Sequence, residues 1–348
     1  MKVSIGTNIK DGPWGGGNLF AINLSNFLRS KGIEVIYDLE DDDIDIILIT
    51  EPRKTSESSS FTHVDVENYL KYINFETIVI HRINECDERK NTNYVNKYLI
   101  YANKVADETI FVSKWLRDLY IKQGITSKVN HVVYAGANNS IFNKENFLYW
   151  DKNEKIKLVT HHWGANWNKG FNSYNKIDQL LGTAKWKNRL AFTYIGNVHK
   201  KANFENSKII EPLSGDKLGN ELKSHHIYIT GSINEPSGNH HIEASQCGLP
   251  ILYINSGGVS EYCKGYGVEY SDDNLELKLE ELISNYDHYV EVQKNYPNSS
   301  DKMAQEFLNI FENAIENKEK YIQERQISKN HSKFKLNSYL FRKKLFRK

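Results

Sequence analysis

The chain has 348 residues, 39% hydrophobic and 26% charged, with a mean hydropathy of −0.60. That is enough for two globular domains, and the lack of any run of eighteen apolar residues excludes a hydrophobic spanning helix. The net charge of +1 hides an asymmetry: residues 329–348 hold eight Lys/Arg and no acid, which leaves 37 basic against 44 acidic residues elsewhere. An acidic body speaks against nucleic acid as a partner. Three cysteines (Cys86, Cys247, Cys263) lack metal-ligand spacing and suit a reducing cytosol better than a disulfide framework.

Residues 2–7 read as a strand at the very start, without the longer apolar core of a signal peptide. Residues 18–31 read as a helix, with Leu19, Ile22, Leu24, Phe27 and Leu28 spaced for a buried stripe. The apolar run 44–49 suits a buried parallel strand. Strands follow at 76–81, 109–112 and 129–134, and helices at 94–106 and 113–123, the latter capped by Ser113. Such alternation predicts a doubly wound α/β domain over residues 1–140. Gly136, Asn138, Asn139 and Ser140 break the rhythm ahead of a linker, 141–155.

A second alternation fills 156–302, with strands at 157–160, 192–196, 227–230 and 251–254 and helices at 171–181, 217–224, 239–247 and 275–286. Residues 303–323 read as one long acidic helix within a segment 303–328. In the tail, 329–348, Phe334, Leu336, Tyr339, Leu340, Phe341, Leu345 and Phe346 are interleaved with cations. That pattern suits an anionic bilayer surface, or a solubilising tail.

Residues that carry chemistry fall between these elements. Gly12-Pro13-Trp14-Gly15-Gly16-Gly17-Asn18 follows the first strand, where glycine lets a ligand approach the backbone. It is neither a dinucleotide fingerprint nor a P-loop. The cluster from His81 to Lys90 closes an apolar strand, where open α/β sheets place ligands. A third loop, 160–170, holds His161, His162, Trp163 and Lys169. Glu235-Pro236-Ser237-Gly238 is a turn. Glu235 is expected in the loop, and Glu243 about two turns inside the helix that follows. A helix starting behind a glycine points unpaired N–H groups forward, which makes a phosphate site. A carboxylate beside it needs another task, such as accepting hydrogen bonds from sugar hydroxyls. Asp41-Asp42-Asp43 precedes a buried strand and reads as a turn, not a metal–diphosphate site.

The run E-P-S-G-N-H-H-I-E-A-S-Q-C-G-L-P, residues 235–250, resembles the E-x7-E element of retaining glycosyltransferases with the GT-B fold, particularly glycosyltransferase family 4. The resemblance implies two Rossmann-like doubly wound parallel-sheet domains facing across a cleft. The N-terminal domain would take the acceptor and the C-terminal domain the donor, with segment 303–328 crossing back. It also implies retaining, metal-independent and cofactor-free transfer from a nucleotide-diphosphate sugar to a glycan, a lipid-linked glycan or another hydroxyl acceptor. Lys169, of the Lys169-Gly170 pair, would hold the diphosphate, Glu235 would face the donor sugar, and His81 would lie close to it. Glu243 would accept from the ribose hydroxyls. Gly16, Gly17, Gly238, Asn239, Gly257, Gly258 and His162 would line the donor, with Asp87 and Arg89 on the acceptor side.

Many family members carry an Arg six residues before this Lys; here that position is Trp163. His162 or Lys200 are the candidate replacements. The departure favours one alternative, a non-catalytic sugar-nucleotide-binding protein with the same shell. The expected location is the cytoplasm, with the tail at the inner membrane face.

Overall fold

The computed structural model describes residues 1–10, 15–127, 129–325, 327, 336, 337 and 339. The chain runs through β1 (Lys2–Ile5), α1 (Gly16–Ser30), β2 (Glu34–Ile36), β3 (Ile46–Ile49), α2 (His63–Tyr72), β4 (Ile78–Ile83), α3 (Asp87–Lys90), α4 (Val95–Ala102), β5 (Glu108–Phe111), α5 (Lys114–Lys122) and β6 (Asn130–Val132). A second series follows: β7 (Ile156–His162), α6 (Phe171–Leu181), β8 (Leu190–Gly196), β9 (Lys208–Ile210), α7 (Gly215–Lys223), β10 (Ile227–Thr230), α8 (Asn239–Gln246), β11 (Ile251–Ile254), α9 (Val259–Cys263), β12 (Gly267–Tyr270), α10 (Leu275–Ser284) and α11 (Tyr286–Gln293). The described chain closes with α12 (Ser300–Glu316) and α13 (Lys318–Glu324).

The strands form two six-stranded sheets, ordered β2-β1-β3-β4-β5-β6 and β12-β11-β10-β7-β8-β9. Their pairings are parallel. Helices cover both faces, so β3 and β4 are buried along their whole length, and this is why their sequences read as apolar runs rather than alternations.

The C-terminal helix crosses back. Met303, Phe307, Leu308 and Phe311 of α12 share a core with Phe20, Leu24 and Leu28 of α1, and the Phe20 and Phe307 rings are 5.1 Å apart. The two chain crossings lie side by side, where Ala137 bridges Ser299. Two Rossmann-like domains with a returning helix make a GT-B fold.

Several boundaries differ from the sequence reading. The long helix expected over 303–323 starts at Ser300 and breaks at Asn317, whose side-chain amide donates to the Asn313 carbonyl at 2.8 Å. β7 runs on to His162, because its pairing with β8 continues to Gly196. His161 and His162 are therefore strand residues, not loop residues. Helix α2 was missed, although Thr62 and Asp65 form a capping box that marks its start. The loop residues Gly12, Pro13 and Trp14, and almost all of the tail 329–348, lie outside the described residues. Among those described, no helix is long and apolar enough to cross a membrane.

Candidate active site

Segments from both domains meet at the C-terminal ends of β4, β7, β10 and β11. Lys169 ends a 3-10 turn, Trp167–Lys169, behind β7. Glu235 follows β10, and Arg89 sits in α3 behind β4. Glu235 is 4% exposed. Its Oε2 accepts from Lys169 Nζ at 2.7 Å and its Oε1 from Arg89 Nη1 at 3.3 Å. One carboxylate is thus held by a cation from each domain. Burial alone would raise the Glu235 pKa, but the Lys169 and Arg89 charges outweigh it and bring it to about 2. Burial also lowers the Lys169 pKa, against the pull of Glu235.

The charges continue into the N-terminal domain. Arg89 Nη2 stands 3.8 Å from Glu85 Oε1. Glu85 also pairs with Arg53 and Lys90, and Arg53 with Glu51 at 2.5 Å. Four cations (Arg53, Arg89, Lys90, Lys169) therefore face three carboxylates. One surplus positive charge in this cluster favours an anion. Further hydrogen bonds join the domains here, from Asn168 Nδ2 to the Arg89 carbonyl and from Asn234 Nδ2 to that of Glu88, both at 3.3 Å.

Helix α8 begins at Asn239 behind Gly238, with no side-chain cap. Gly238 has φ 82°, and a Cβ there would lie 2.6 Å from a ring carbon of His241. Only glycine fits such a turn. The first residue of α1, Gly16, approaches closely enough that a Cβ on it would lie 3.0 Å from the Asn239 side-chain amide. The starts of α1 and α8 thus meet across the cleft, while Gly17 borders open space. Glu243 is the fifth residue of α8, little more than one turn in rather than two. It is buried, and its Oε2 lies 2.8 Å from Nε2 of His161. Sequence reasoning missed this partner, because it ended β7 before His161.

Other predicted site residues stand elsewhere. His81 was expected at the strand end, but β4 continues to Ile83. The ring is fully buried and hydrogen-bonded to Asn103 at 3.1 Å, and burial lowers its pKa to about 3. Its contacts lie behind the sheet, not with Glu235. His162 is likewise a core histidine, with Nε2 2.6 Å from the Tyr174 hydroxyl and its ring 4.5 Å from that of His240. Burial holds its pKa well below the usual value. Asp87, expected on the acceptor side, is engaged within its own domain. Its carboxylate accepts the backbone N–H groups of Tyr94, Val95 and Asn96 at 2.9–3.1 Å, and so caps α4.

Gly257 and Gly258 were expected to offer N–H groups to the donor. The Gly258 N–H is spent on the Glu235 carbonyl at 2.8 Å. Gly257, with φ 68°, forms a β-bridge with Glu235. The pair fixes the Glu235 loop. Glu261 crosses the cleft and accepts from Lys114 N (2.8 Å) and Trp115 N (2.7 Å), capping α5. Trp163 is 53% exposed. Among the described residues no group of three or more His, Cys, Asp or Glu side chains could hold a metal ion.

Fold and site together define a GT-B architecture with an anion-attracting cleft. Residues 193–299, within the C-terminal domain, match the family model described as glycosyl transferases group 1. The chain is similar to solved structures of Anabaena HepE in complex with UDP and glucose, at a TM-score of 0.66 and 11% identity, covering 90% of this chain and 100% of that one. Sucrose-phosphate synthase from Thermosynechococcus elongatus gives 0.61 at 12%, covering 90% and 99%. WaaG, a glycosyltransferase involved in lipopolysaccharide biosynthesis, gives 0.58 at 12%, covering 89% and 99%. At these identities the likeness is one of fold. No curated protein matches the sequence.

Proposed function

We propose that the chain is a nucleotide-sugar glycosyltransferase that retains anomeric configuration, needs neither metal nor cofactor, and transfers to a glycan, a lipid-linked glycan or another hydroxyl acceptor. The observation that supports this reading best is the buried Glu235 carboxylate held by Lys169 and Arg89 beside the uncapped start of α8. In this reading the diphosphate lies against α8 and takes Lys169 from Glu235. Charge builds on the leaving diphosphate as the sugar–oxygen bond breaks, so a fixed ammonium stabilises the transition state more than the ground state. Arg89 serves as a second cation, in place of the Arg for which this chain carries Trp163. Glu235, relieved of its cations, accepts from the sugar hydroxyls, and Glu243, steadied by His161, accepts from the ribose. The acceptor hydroxyl passes its proton to the departing diphosphate, so no protein nucleophile is required.

The UDP complexes of the Anabaena neighbour make UDP the first nucleotide to try. In a thermal-shift screen with UDP, GDP, ADP and their common sugars, one diphosphate raises the melting temperature, since it binds only the native state. Lys169→Ala removes that shift. No shift with any of them, or an equal shift in the variant, counts against the proposal. Trp163 favours a second reading, binding without transfer; a donor that binds but is neither transferred nor hydrolysed over the panel would establish it. The tail 329–348 is proposed to hold the protein at anionic membranes; unchanged vesicle binding after its deletion would refute that.

A further inference from the structure

The C-terminal sheet carries a second cavity, at the end of the domain away from the cleft. β8 pairs with β7 over its whole length, from Leu190 to Gly196, but with β9 only from Thr193 to Ile195. The outer edge of β8 is therefore open at Leu190, Ala191 and Phe192, and beside it lies a cavity of about 660 Å³. Small-molecule sites have volumes of roughly 300–1,000 Å³. The cavity lies at the N-terminal ends of β7 and β8, whereas Lys169 and Glu235 follow the C-terminal ends of their strands. β7 has seven residues, so at about 3.3 Å per residue the two places are roughly 20 Å apart.

The rim of this cavity is basic. Lys155 precedes β7, Lys157 is its second residue, Lys187 stands in the turn before β8, and Lys208 opens β9. Among the described residues the lining holds one carboxylate, that of Glu221, 3.9 Å from Lys208. Lys157 is paired with Glu154 at 2.8 Å. Lys155 Nζ donates to the Lys187 carbonyl at 2.7 Å, and among the described residues neither Lys155 nor Lys187 has an ion pair. Lys187 is set in place by its neighbour Trp186, which is fully buried and donates its indole N–H to Glu276 at 2.8 Å. Two unmatched ammonium groups thus share one cavity, on a chain whose body carries more acids than bases outside residues 329–348.

The floor is polar and neutral. Thr193 and His225 are 6% and 5% exposed. His225 Nδ1 lies 2.8 Å from the Glu221 carbonyl and so donates to it; Nε2 then accepts from the Thr193 hydroxyl at 2.9 Å. The Thr193 oxygen keeps the capacity to accept from a ligand hydroxyl. Leu148 and Phe192 add apolar wall. Lysine binds phosphate as a point charge, and a hydroxyl-bearing body suits the floor.

We propose that this cavity binds a small phosphomonoester with a hydroxylated body, its phosphate on Lys155 and Lys187, at a site separate from the donor cleft. The proposal goes beyond the transferase reading and does not depend on it.

The test is calorimetry on the full chain with ribose 5-phosphate and glycerol 3-phosphate, and with ribose and glycerol as their uncharged counterparts. Saturable binding is expected for at least one phosphate and for neither counterpart. The double variant Lys155→Gln, Lys187→Gln should weaken it at least tenfold. Lys122→Gln with Lys302→Gln makes the same charge change on α5 and α12 and should weaken it less than twofold. In Lys169→Ala, where the cleft has lost its cation, the affinity should stay within twofold. All four rim and control lysines are exposed, and circular dichroism checks that each variant folds. The proposal is overturned if neither phosphate binds, if the control pair costs as much as the cavity pair, or if Lys169→Ala abolishes the binding. A chain that binds no nucleoside diphosphate in the screen fails the transferase reading and leaves this result standing.

Discussion

Glu235 keeps its negative charge in a buried place because two cations reach it, one from each domain. Breaking such a pair from one side leaves an uncompensated charge, typically at a cost of about 3 kcal/mol or more. Glu235 and Lys169 were legible in the sequence, since each sits in a loop motif of fixed spacing. Arg89 was placed on the acceptor side because its chain neighbours suggested it; contact with Glu235 depends on how the domains meet, which no local pattern encodes. The capping role of Asp87 was hidden for a related reason. It caps a helix that starts eight residues later, at Val95. Asp87→Ala should therefore cost about 1–2 kcal/mol of stability and leave KM for the acceptor unchanged. A raised KM with normal stability would restore it to the acceptor side.

Among the elements, α8 is the most exacting. Its start depends on a glycine in the left-handed region, packed against two imidazoles. Gly238→Ala should destabilise the fold by about 1–3 kcal/mol and lower diphosphate affinity at least tenfold, read by calorimetry; unchanged affinity would remove α8 from the donor site. The interface of α1 with α12 is a second test. Phe307→Ala leaves a cavity against Phe20 and should cost about 3–5 kcal/mol in denaturant unfolding; a loss under 1 kcal/mol would mean that the returning helix contributes little. The extent of α1 was read to within two residues, but its buried face was not: Leu24 and Leu28 are buried as expected, Leu19 is 38% exposed, and Phe20 takes the core position instead. The end of β7 was misread, because two histidines look like loop residues until the pairing with β8 is known. The same error by two residues put His81 at the end of β4.

At the scale of the whole molecule, buried imidazoles set a pH dependence. Burial lowers His81 and His241 to about 3 and His226 to about 4, and holds His162 and His240 well below 6.5. The unfolded chain binds protons at these sites near pH 6.5 and the folded chain does not, so stability is complete above that pH and falls as the pH drops below it. Glu235 acts in the same sense further down: its contribution is present above its unfolded value of 4.5 and is lost as the pH falls toward 2. The melting temperature should therefore decline between pH 7 and pH 5, before most carboxylates titrate. A flat profile over that interval would contradict the burial of these rings. The two-domain plan was legible because alternating strands and helices leave strong periodic signals. The charge network across the cleft was not, since its members come from four separate segments.

The most direct measurement of the central claim is transfer or hydrolysis of the nucleotide sugar chosen by the screen, compared for the wild-type chain, Lys169→Ala and Glu235→Gln, with folding checked by circular dichroism. The account predicts that both variants stay folded and lose about 100- to 1000-fold in turnover. Full activity in both would contradict it.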